Sequence, residues 1–515
     1  MFPSLPTFTR REVGEHTTIS SLWCIINSTV YDLTDFIQDH PGGEQILLKV
    51  AGQDATSSFH TFHRQEVLTS YSHLAIGTIT GEETKSLTSN LGDISPIPYA
   101  EPLWLRPQFC SPYYTDSHRR LQRAARIFTE TYLIPEASRC ERTGCPPSEE
   151  LINLMADQNI LRMRLGPGKH LHGQTIMGGG VVDGREFNYF HKLILAQEMC
   201  RPLARGFHDT NMAGMTIGLS VILNFARNSR WKTNIADQVF GGVKKLCLAI
   251  TEAGAGSDVA GIQTRAEKTP DGKHYIVNGS KKWITNGMWS DYFVTLVKTG
   301  KGYSVLLIPR TEGVETRPIK TSYSSAAGTA YVTFDQVKIP SENLIGEEND
   351  GLRIIISNFN QERWAMACST ITQCRAVVEE CLKWSNQRQI AGKRLNEQPV
   401  VRQKLAKMIS HVEGAQAWLE SITFQMCNMS LRDQTIHLAG PIALLKRTST
   451  RMAQKIADEA VQIWGGRSLT QTGMGRYIND FYQTHKFDAI LGGSEEVLAE
   501  VAMKLALKGF PRSML

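Results

Sequence analysis

The chain is 515 residues long, too long for a single hydrophobic core, and its length predicts about three domains. Its 56 lysine and arginine residues nearly balance its 50 aspartate and glutamate residues without forming a basic block, which argues against nucleic acid or an anionic membrane as a partner. No apolar run reaches the roughly 18 residues of a membrane span, and ten cysteines without a CxxC pair predict reduced thiols in an intracellular protein.

The front of the chain, residues 5–82, predicts a small mixed domain with two helices among short strands. The predicted strands are Thr18–Ser20, Trp23–Ile26, Thr29–Tyr31 and Gly77–Ile79, and the predicted helices are Glu44–Val50 and a second one from Asp54. His40 stands directly before Pro41-Gly42-Gly43, where two residues without side chains let a flat ligand come close to the backbone.

Two further histidines, His60 and His63, lie three residues apart on the second predicted helix. A pair at this spacing shares one helix face, which would suit zinc. No cysteine is near, however, and Glu66 alone cannot complete a tetrahedral ligand set. The pair by itself therefore does not predict a zinc site.

The motif around these histidines resembles the cytochrome b5 haem-binding domain. The sequence "HPGG" at His40 is followed by "GQDATSSFHTFH", which is similar to that family's segment before its second haem ligand. The resemblance implies that His40 and His63 are the two axial ligands of haem b, and that His60 is not a ligand. Because two imidazoles leave haem iron without an open site, such a domain carries single electrons. The alternative is that His40 caps a turn and His63 fills a core.

Residues 83–115 predict a linker because they contain several prolines and little periodicity. The prolines are Pro96, Pro98, Pro102, Pro107 and Pro112. This composition is typical of a semi-extended tether on which the front domain can swing.

The rest of the chain changes character twice. Residues 116–245 are predicted to be helical, because apolar residues recur every three or four positions in "HRRLQRAARIFTETYL" and "EELINLMADQNILRM". Residues 246–345 contain short strand-like runs bounded by turn residues. Residues 346–515 are again helical, with no glycine or proline between Gly351 and Gly392 and an amphipathic stretch at Ile442–Ile463. The predicted order is helices, a β domain and helices.

Two glycine-containing stretches of the middle region point to a cofactor. The first, "LAITEAGAGSDVAG", is on its own more often a plain turn than a site. Together with the second, "GSKKWITNG", it resembles the acyl-CoA dehydrogenase flavoproteins, and the resemblance extends over about residues 116–510. It implies a multidomain α+β fold in which an α domain, a middle β-barrel or sandwich and a C-terminal four-helix bundle follow the cytochrome b5-like domain.

The same resemblance implies the residues that bind FAD. They are Leu248, Ile250, Thr251, Ser257, Trp283, Thr285, Arg388, Gln462, Gly465, Gly466, Ser494 and Glu496. Thr285 is expected near the flavin N5. Arg388, in "NQRQIAGKRL", is expected on the FAD diphosphate of a neighbouring subunit, although Ala391 stands there where the family usually has Phe. The segment "QIWGGRSL" is expected to reach the same cofactor.

The catalytic base is not where most of this family has it. The segment "ILGGSEEV" has Gly492 at the position of the usual glutamate. In this respect the chain resembles the long-chain and isovaleryl branches, which take the base from a Glu-Arg pair on a helix, and "FNQERWAMA" supplies Glu362 and Arg363. Glu362 is therefore the expected base, and Ser257, Arg363 and Gly493 are the expected substrate-binding residues.

The resemblance implies an FAD-dependent oxidoreductase of fatty-acid metabolism that converts an acyl-CoA, or another acyl thioester, to the trans-2-enoyl thioester. The tethered haem domain is expected to pass single electrons, although inward flow is an alternative, and the external acceptor or donor is not specified. Two other readings are an oxidase that gives electrons to oxygen, which peroxide yield would reveal, and a silent flavin and haem scaffold, favoured if Glu362 faces solvent. A homotetramer or homodimer is expected.

The last three residues resemble a targeting signal. Ser513-Met514-Leu515 is a relative of the Ser-Lys-Leu peroxisomal signal that lacks its basic residue, so a peroxisomal location is expected, or otherwise a cytoplasmic one. We predict that deleting these three residues disperses an N-terminally tagged protein, as measured by fluorescence microscopy. Met514→Lys is the matched control and should remain in peroxisomes, whereas a full-length protein that is already cytosolic contradicts the prediction.

Overall fold

The computed structural model describes residues 5–63, 67–68, 71–82 and 90–511, and its first part is a small domain built on a five-stranded sheet. Its elements are β1 Thr7–Phe8, α1 Arg10–Val13, β2 Thr17–Thr18, β3 Ser21–Ile26, β4 Thr29–Asp32, α2 Glu44–Leu48, α3 Thr56–Phe62 and β5 Ala75–Ile79. The strand order is β1-β5-β4-β3-β2, with β1 parallel to β5. Because side chains alternate along a strand, Leu22 and Cys24 face one core and Ile25 the other.

The predicted strands and helices of this domain are present, with different ends. The second helix begins at Thr56 and not at Asp54. The reason is that the Asp54 carboxylate accepts a hydrogen bond from the Thr56 amide at 3.0 Å, which holds Asp54 in a turn ahead of the helix.

The predicted linker is in part a packed segment. Residues 83–89 lie outside the described residues, but Trp104 and Leu105 are buried in the core of the helical region that follows. The expectation of a free tether is therefore wrong for residues 95–105. The prolines of this segment separate apolar side chains that the body buries, and Ser95 donates a hydrogen bond to Glu379 at 2.7 Å.

The region after the linker is helical, as predicted. Its helices are α4 Asp116–Phe128, α5 Ile134–Thr143, α6 Glu149–Asp157, α7 Ile160–Leu165, α8 Tyr189–Met199, α9 Arg205–Met212, α10 Ser220–Phe225 and α11 Ser229–Phe240, with π-helical turns at Thr129–Leu133 and Ala213–Leu219. The stretch 149–163 is two helices and not one, because Asn159 has a φ of 55°. This left-handed conformation cannot continue an α-helix.

The middle region forms an eight-stranded sheet. Its strands are β6 Leu246–Ala249, β7 Arg265–Lys268, β8 His274–Ile284, β9 Tyr292–Thr299, β10 Gly302–Pro309, β11 Val314–Pro318, β12 Ala330–Pro340 and β13 Leu344–Ile345. The order is β11-β12-β8-β7-β9-β10-β13, and β6 pairs in parallel with β9. This parallel pairing places the loop that follows β6 beside the sheet.

A series of helices, most of them long, completes the chain and confirms the predicted bundle. They are α12 Gly351–Gln387, α13 Pro399–Asn428, α14 Leu431–Asp433, α15 Ala439–Trp464, α16 Arg476–Ile490 and α17 Glu495–Lys508, with a short hairpin β14 Gln389–Ile390 and β15 Lys393–Arg394. α12 packs against α13, α15 and α16 around a shared apolar core. Among the described residues, no helix combines the length and apolar character needed to cross a bilayer.

A buried arginine ties the linker to the helical region. Arg126 on α4 binds Glu101 of the linker segment at 2.6 Å and Glu198 of α8 at 2.7 Å, and all three side chains are almost fully buried. Gln122 donates a further hydrogen bond to Glu198 at 3.0 Å. The guanidinium therefore compensates two carboxylates that have lost their hydration.

We predict that Arg126→Leu lowers the free energy of unfolding by about 3–5 kcal/mol, because it leaves the two buried carboxylates with only Arg201, which is partly exposed and 3.7 Å from each, as a cation. Chemical denaturation followed by circular dichroism measures the change. Arg123→Leu, an exposed arginine on the same helix, is the control and should change stability by no more than about 0.5 kcal/mol. Equal losses in the two variants would contradict the prediction.

Candidate active site

His40 and His63 face each other across a gap of the size that one metal ion needs. Their ring centroids lie 6.0 Å apart, with 70° between the ring planes. Two metal–nitrogen bonds of about 2 Å each, together with the depth of the two rings, fill roughly that distance. His63 closes α3 as its C-cap, and His40 follows the turn after Phe36. The structure therefore fits the haem ligation expected from the sequence.

The surroundings of the two rings also suit ligation. Nδ1 of His40 lies 3.2 Å from the Gly43 carbonyl oxygen and donates to it, which leaves Nε2 as the atom available to the metal. Burial, and then the nearby His40, lower the pKa of His63, which favours the neutral form that binds metal. A Cβ at Gly42 would lie 2.7 Å from the His40 ring, so glycine is needed for this packing.

His60 forms a hydrogen bond with a residue outside the proposed haem site. Its Nε2 lies 3.0 Å from the side-chain oxygen of Asn27, in the turn between β3 and β4. This contact agrees with the expectation that His63, and not His60, is the second ligand.

A buried lysine joins the two glycine-containing motifs of the middle region. Lys281 of β8 donates to the Ile250 carbonyl at 2.9 Å and binds the Glu252 carboxylate at 2.9 Å. The amide of Lys282 donates to the Thr251 carbonyl at 2.8 Å. The loop after β6 is therefore fixed along the end of β8, and the structure brings Ile250 and Thr251 to the strand that carries Trp283.

The surface at this place is open and presents a flat aromatic ring. Trp283 is 50% exposed and has a φ of 67°, which is unusual for a bulky residue, and such conformations are enriched at functional sites. A Cβ placed at Gly254 or Gly256 would meet no heavy atom within 4 Å. Thr285 is half-buried just beyond Trp283. An open, glycine-lined surface with an exposed ring fits a flat cofactor such as the FAD isoalloxazine.

The other residues expected in the middle region stand on the same segment. Leu248 is half-buried on β6, and Ser257 is exposed in the loop that follows it. Together with Ile250, Thr251, Trp283 and Thr285 they form a first group of expected flavin residues.

A second group lies where α12 and α15 end. Trp384 of α12 stacks on Trp464 of α15 with ring centroids 4.8 Å apart, which brings Arg388 at the end of α12 close to Gly465. Arg388 and Gln462 are exposed. A Cβ at Gly465 or Gly466 would meet no heavy atom within 4 Å, so this surface is also open.

Glu362 and Gly492 face the same space. Glu362, on α12, is only 5% exposed. A Cβ built on Gly492 would lie 3.5 Å from the nearer Glu362 oxygen and 2.9 Å from the Met366 sulfur. The two positions proposed for the base, one on a helix and one on a loop, are therefore adjacent. The alternative of a catalytically silent scaffold is favoured if Glu362 faces solvent, and the burial of Glu362 argues against it.

The environment of Glu362 shifts it toward a base that works near neutral pH. Burial raises the pKa of Glu362 to about 6, although the neighbouring Arg363 and Lys446 oppose the shift. Its Oε2 is buried without a hydrogen-bond partner among the described residues. That oxygen is free to accept a proton from a bound substrate.

Two cations hold the backbone in front of Glu362. Arg363 donates from Nε to the Gly492 carbonyl at 3.0 Å, and Lys446 donates to the Gly493 carbonyl at 2.8 Å. Arg363 therefore orders the loop and does not form a hydrogen bond with the acid in this structure. Lys446, which is fully buried on α15, was not predicted from the sequence motifs. The sequence does contain a sign of this burial, because Lys446 stands four positions after Ile442 and therefore on the apolar face of that helix.

The last expected residues lie at the start of α17. The hydroxyl of Ser494 accepts a hydrogen bond from the Val497 amide at 3.4 Å and so caps this helix. Glu496 is exposed in the first turn. Both residues directly follow the Gly492–Gly493 pair.

Three family models match the chain. "Acyl-CoA dehydrogenase, C-terminal domain" matches residues 349–507, and "Acyl-CoA dehydrogenase, middle domain" matches residues 247–337. "Cytochrome b5-like Heme/Steroid binding domain" matches residues 9–80. Both resemblances inferred from the sequence motifs are thereby confirmed.

Known proteins agree with these matches. Acyl-CoA dehydrogenase apdG of Emericella nidulans is 36% identical over 82% of this chain and 97% of its own length. Acyl-CoA dehydrogenase AFT10-1 of Alternaria alternata is 33% identical over 79% of this chain and 95% of its own length.

Solved structures share the fold of the body. A protein of Mycobacterium smegmatis described as an acyl-CoA dehydrogenase superposes with a TM-score of 0.68 at 25% identity, covering 78% of this chain and 100% of that one. Butyryl-CoA dehydrogenase from Megasphaera elsdenii superposes with a TM-score of 0.66 at 24% identity, covering 77% of this chain and 100% of that one. The predicted fold class is therefore confirmed.

We predict that His63→Ala abolishes the six-coordinate, low-spin haem spectrum, because it removes one of two axial ligands. His60→Ala is the matched control on the same helix and should retain that spectrum, since His60 bonds to Asn27. Absorption spectra of the purified variants measure the effect. The ligand assignment would be overturned by a normal spectrum in the His63 variant. Flavin content should be unchanged in both variants.

Proposed function

The chain belongs to the acyl-CoA dehydrogenase family of FAD-dependent oxidoreductases, and from this premise we propose that it oxidises an acyl-CoA at its α and β carbons to the trans-2-enoyl thioester with Glu362 as the base. The observation that carries the proposal is the burial of Glu362 directly beside Gly492. The family's usual carboxylate is missing from the loop, and a carboxylate on a helix takes up the same space.

FAD, when bound, supplies the hydride acceptor, and haem in the cytochrome b5-like domain supplies a one-electron carrier. We propose that His40 and His63 hold the haem iron. For FAD we propose the two groups of residues described above, which are Leu248, Ile250, Thr251, Ser257, Trp283 and Thr285 in the first, and Arg388, Gln462, Gly465 and Gly466 in the second, together with Ser494 and Glu496.

Glu362 takes the α-proton of the substrate in this proposal. Desolvation makes the carboxylate a stronger base than an exposed glutamate, and at neutral pH most of it is ionised because its pKa is about 6. Its unpartnered Oε2 is the atom that receives the proton. The α-hydrogen becomes more acidic as negative charge develops on the thioester carbonyl oxygen. Hydrogen-bond donors that are already in place before the reaction stabilise this charge.

Arg363 and Lys446 act on the loop and not on the proton. By binding the carbonyls of Gly492 and Gly493, they fix the backbone that faces the acid. We propose Ser257, Arg363 and Gly493 as the residues nearest the substrate. Since Gly492 has no side chain, this loop presents only backbone to Glu362.

We propose that the front domain receives the electrons one at a time and passes them to an external one-electron acceptor. The support is that one chain contains both a dehydrogenase body and a domain of the single-electron class. Members of this family typically form oligomers, and we propose a homotetramer or homodimer in which Arg388 serves the FAD of a neighbouring subunit.

We predict that Glu362→Gln slows flavin reduction by more than the roughly 10²–10⁴-fold of general base catalysis, because the amide keeps the shape but cannot accept the proton. Stopped-flow absorbance with a panel of acyl-CoA substrates measures the rate. In the wild-type enzyme, the rate should rise as pH increases through about 6, since the ionised form of Glu362 is the base.

Glu379→Gln, a buried carboxylate 17 residues further along α12, is the control and should reduce flavin at the wild-type rate. The double variant Glu362→Gly, Gly492→Glu should regain only part of the rate. The reason is that residue 492 has a φ of 65° and its Cβ would crowd Met366. Near wild-type reduction by Glu362→Gln would show that Glu362 is not the base.

A further inference from the structure

Arg467 joins the haem domain to the dehydrogenase body. Its Nη1 donates to the Thr61 carbonyl at 2.7 Å. Its guanidinium carbon lies 5.7 Å from the centroid of the Phe62 ring and 4.6 Å from that of the Trp384 ring. The arginine therefore contacts one aromatic ring of each domain, at distances at which a cation is attracted to a π face.

The contact lies between the two proposed cofactor sites. Thr61 and Phe62 end α3, immediately before the proposed iron ligand His63. Arg467 directly follows Gly465-Gly466, and Trp384 precedes Arg388 by four residues. The end of the haem-binding helix thus rests on the turn that belongs to the second group of proposed flavin residues.

The chemistry of the contact suits docking. The Thr61 carbonyl is at the C-terminal end of α3, where helix carbonyls lack intrahelical partners and cations are favoured. Phe62 remains 58% exposed, so an apolar ring of the haem domain is available at its surface. Burial, and then the nearby Arg388, lower the pKa of Arg467, which shows that two like charges stand close together on the body.

The two parts of the chain have opposite net charge. Residues 1–82 contain 4 lysine and arginine residues against 9 aspartate and glutamate residues. The remainder therefore holds 52 of the 56 basic residues and 41 of the 50 acidic ones. Opposite charges favour association of the haem domain with the body and make it sensitive to salt.

We propose that Arg467 is the docking residue that seats the haem domain on the Gly465–Leu469 turn for electron exchange with the dehydrogenase body. The proposal rests on the electron route stated under Proposed function. A contact built on one arginine suits reversible docking, since weak electron-transfer encounters use small interfaces.

The electron count determines how often the haem is reduced for each substrate. Oxidation of one acyl-CoA releases two electrons and two protons, whereas the haem domain carries one electron at a time. The haem domain must therefore be reduced and reoxidised twice for each substrate. An external one-electron oxidant takes the electrons, and ferricyanide serves as that oxidant in steady-state assays.

The experiment uses the full-length holoenzyme with Arg467→Ala, Phe62→Ala and the double variant. Arg476→Ala and Ile19→Ala are matched controls, being an arginine further along the body and an exposed apolar residue of the haem domain. Hydrogen–deuterium exchange of residues 56–62 and 465–469 reports the contact itself. Anaerobic stopped-flow absorbance with an acyl-CoA reports flavin bleaching and haem reduction separately.

We expect faster exchange in both segments of Arg467→Ala and Phe62→Ala, and haem reduction slower by about tenfold, the order of a charge-assisted hydrogen bond. Flavin bleaching in Phe62→Ala should equal that of the wild type. The double variant should lose less than the product of the two single effects, because both remove the same contact. The controls should match the wild type.

Two outcomes separate the two proposals. Wild-type exchange and wild-type haem reduction in both single variants would overturn the docking assignment and leave the electron route intact. A wild-type enzyme whose flavin bleaches while its haem stays oxidised would overturn the electron route, together with the docking role that rests on it.

Discussion

The burial of the Glu362 carboxylate away from water determines how the rest of the active site is arranged. Removing Glu362 from water destabilises its charged form, so the site must provide opposite charge nearby without neutralising the acid through a direct ion pair. Arg363 and Lys446 meet that requirement, because their hydrogen bonds go to the carbonyls of Gly492 and Gly493 while their charges act on Glu362 through space. The same two bonds fix the loop that closes the space in front of the acid.

The position of the acid follows from this packing. At Gly492, the left-handed backbone disfavours any residue with a side chain, and Met366 fills the space that a Cβ would need. At Glu362, the backbone is an ordinary helix held on several sides by the bundle. A helix positions a reacting group more rigidly than a loop does. In this chain the loop contributes backbone, and the helix contributes the acid.

Local motifs made much of the fold and site predictable. The glycine pair after His40 and the absence of a carboxylate at Gly492 are visible in the sequence, since each depends on residues within one short segment. Lys446 and Arg467 were missed because their roles depend on contacts with segments far away in the chain. Trp104 and Leu105 were hidden among prolines, and their burial depends on a surface that the body supplies.

The length of α12 determines how far the base lies from the site where the haem domain docks. A helix rises 1.5 Å per residue, so the 22 residues from Glu362 to Trp384 span about 33 Å. A haem domain seated at Arg467 is therefore remote from the base of its own chain. Once Arg388 takes its proposed place on a neighbour's FAD, the docked domain stands beside the cofactor of that neighbour. The smallest complete circuit is then a pair of chains, in which each chain passes its electrons to the haem domain of the other. A dissociated monomer lacks both the Arg388 and the haem domain that a neighbouring chain supplies to its FAD.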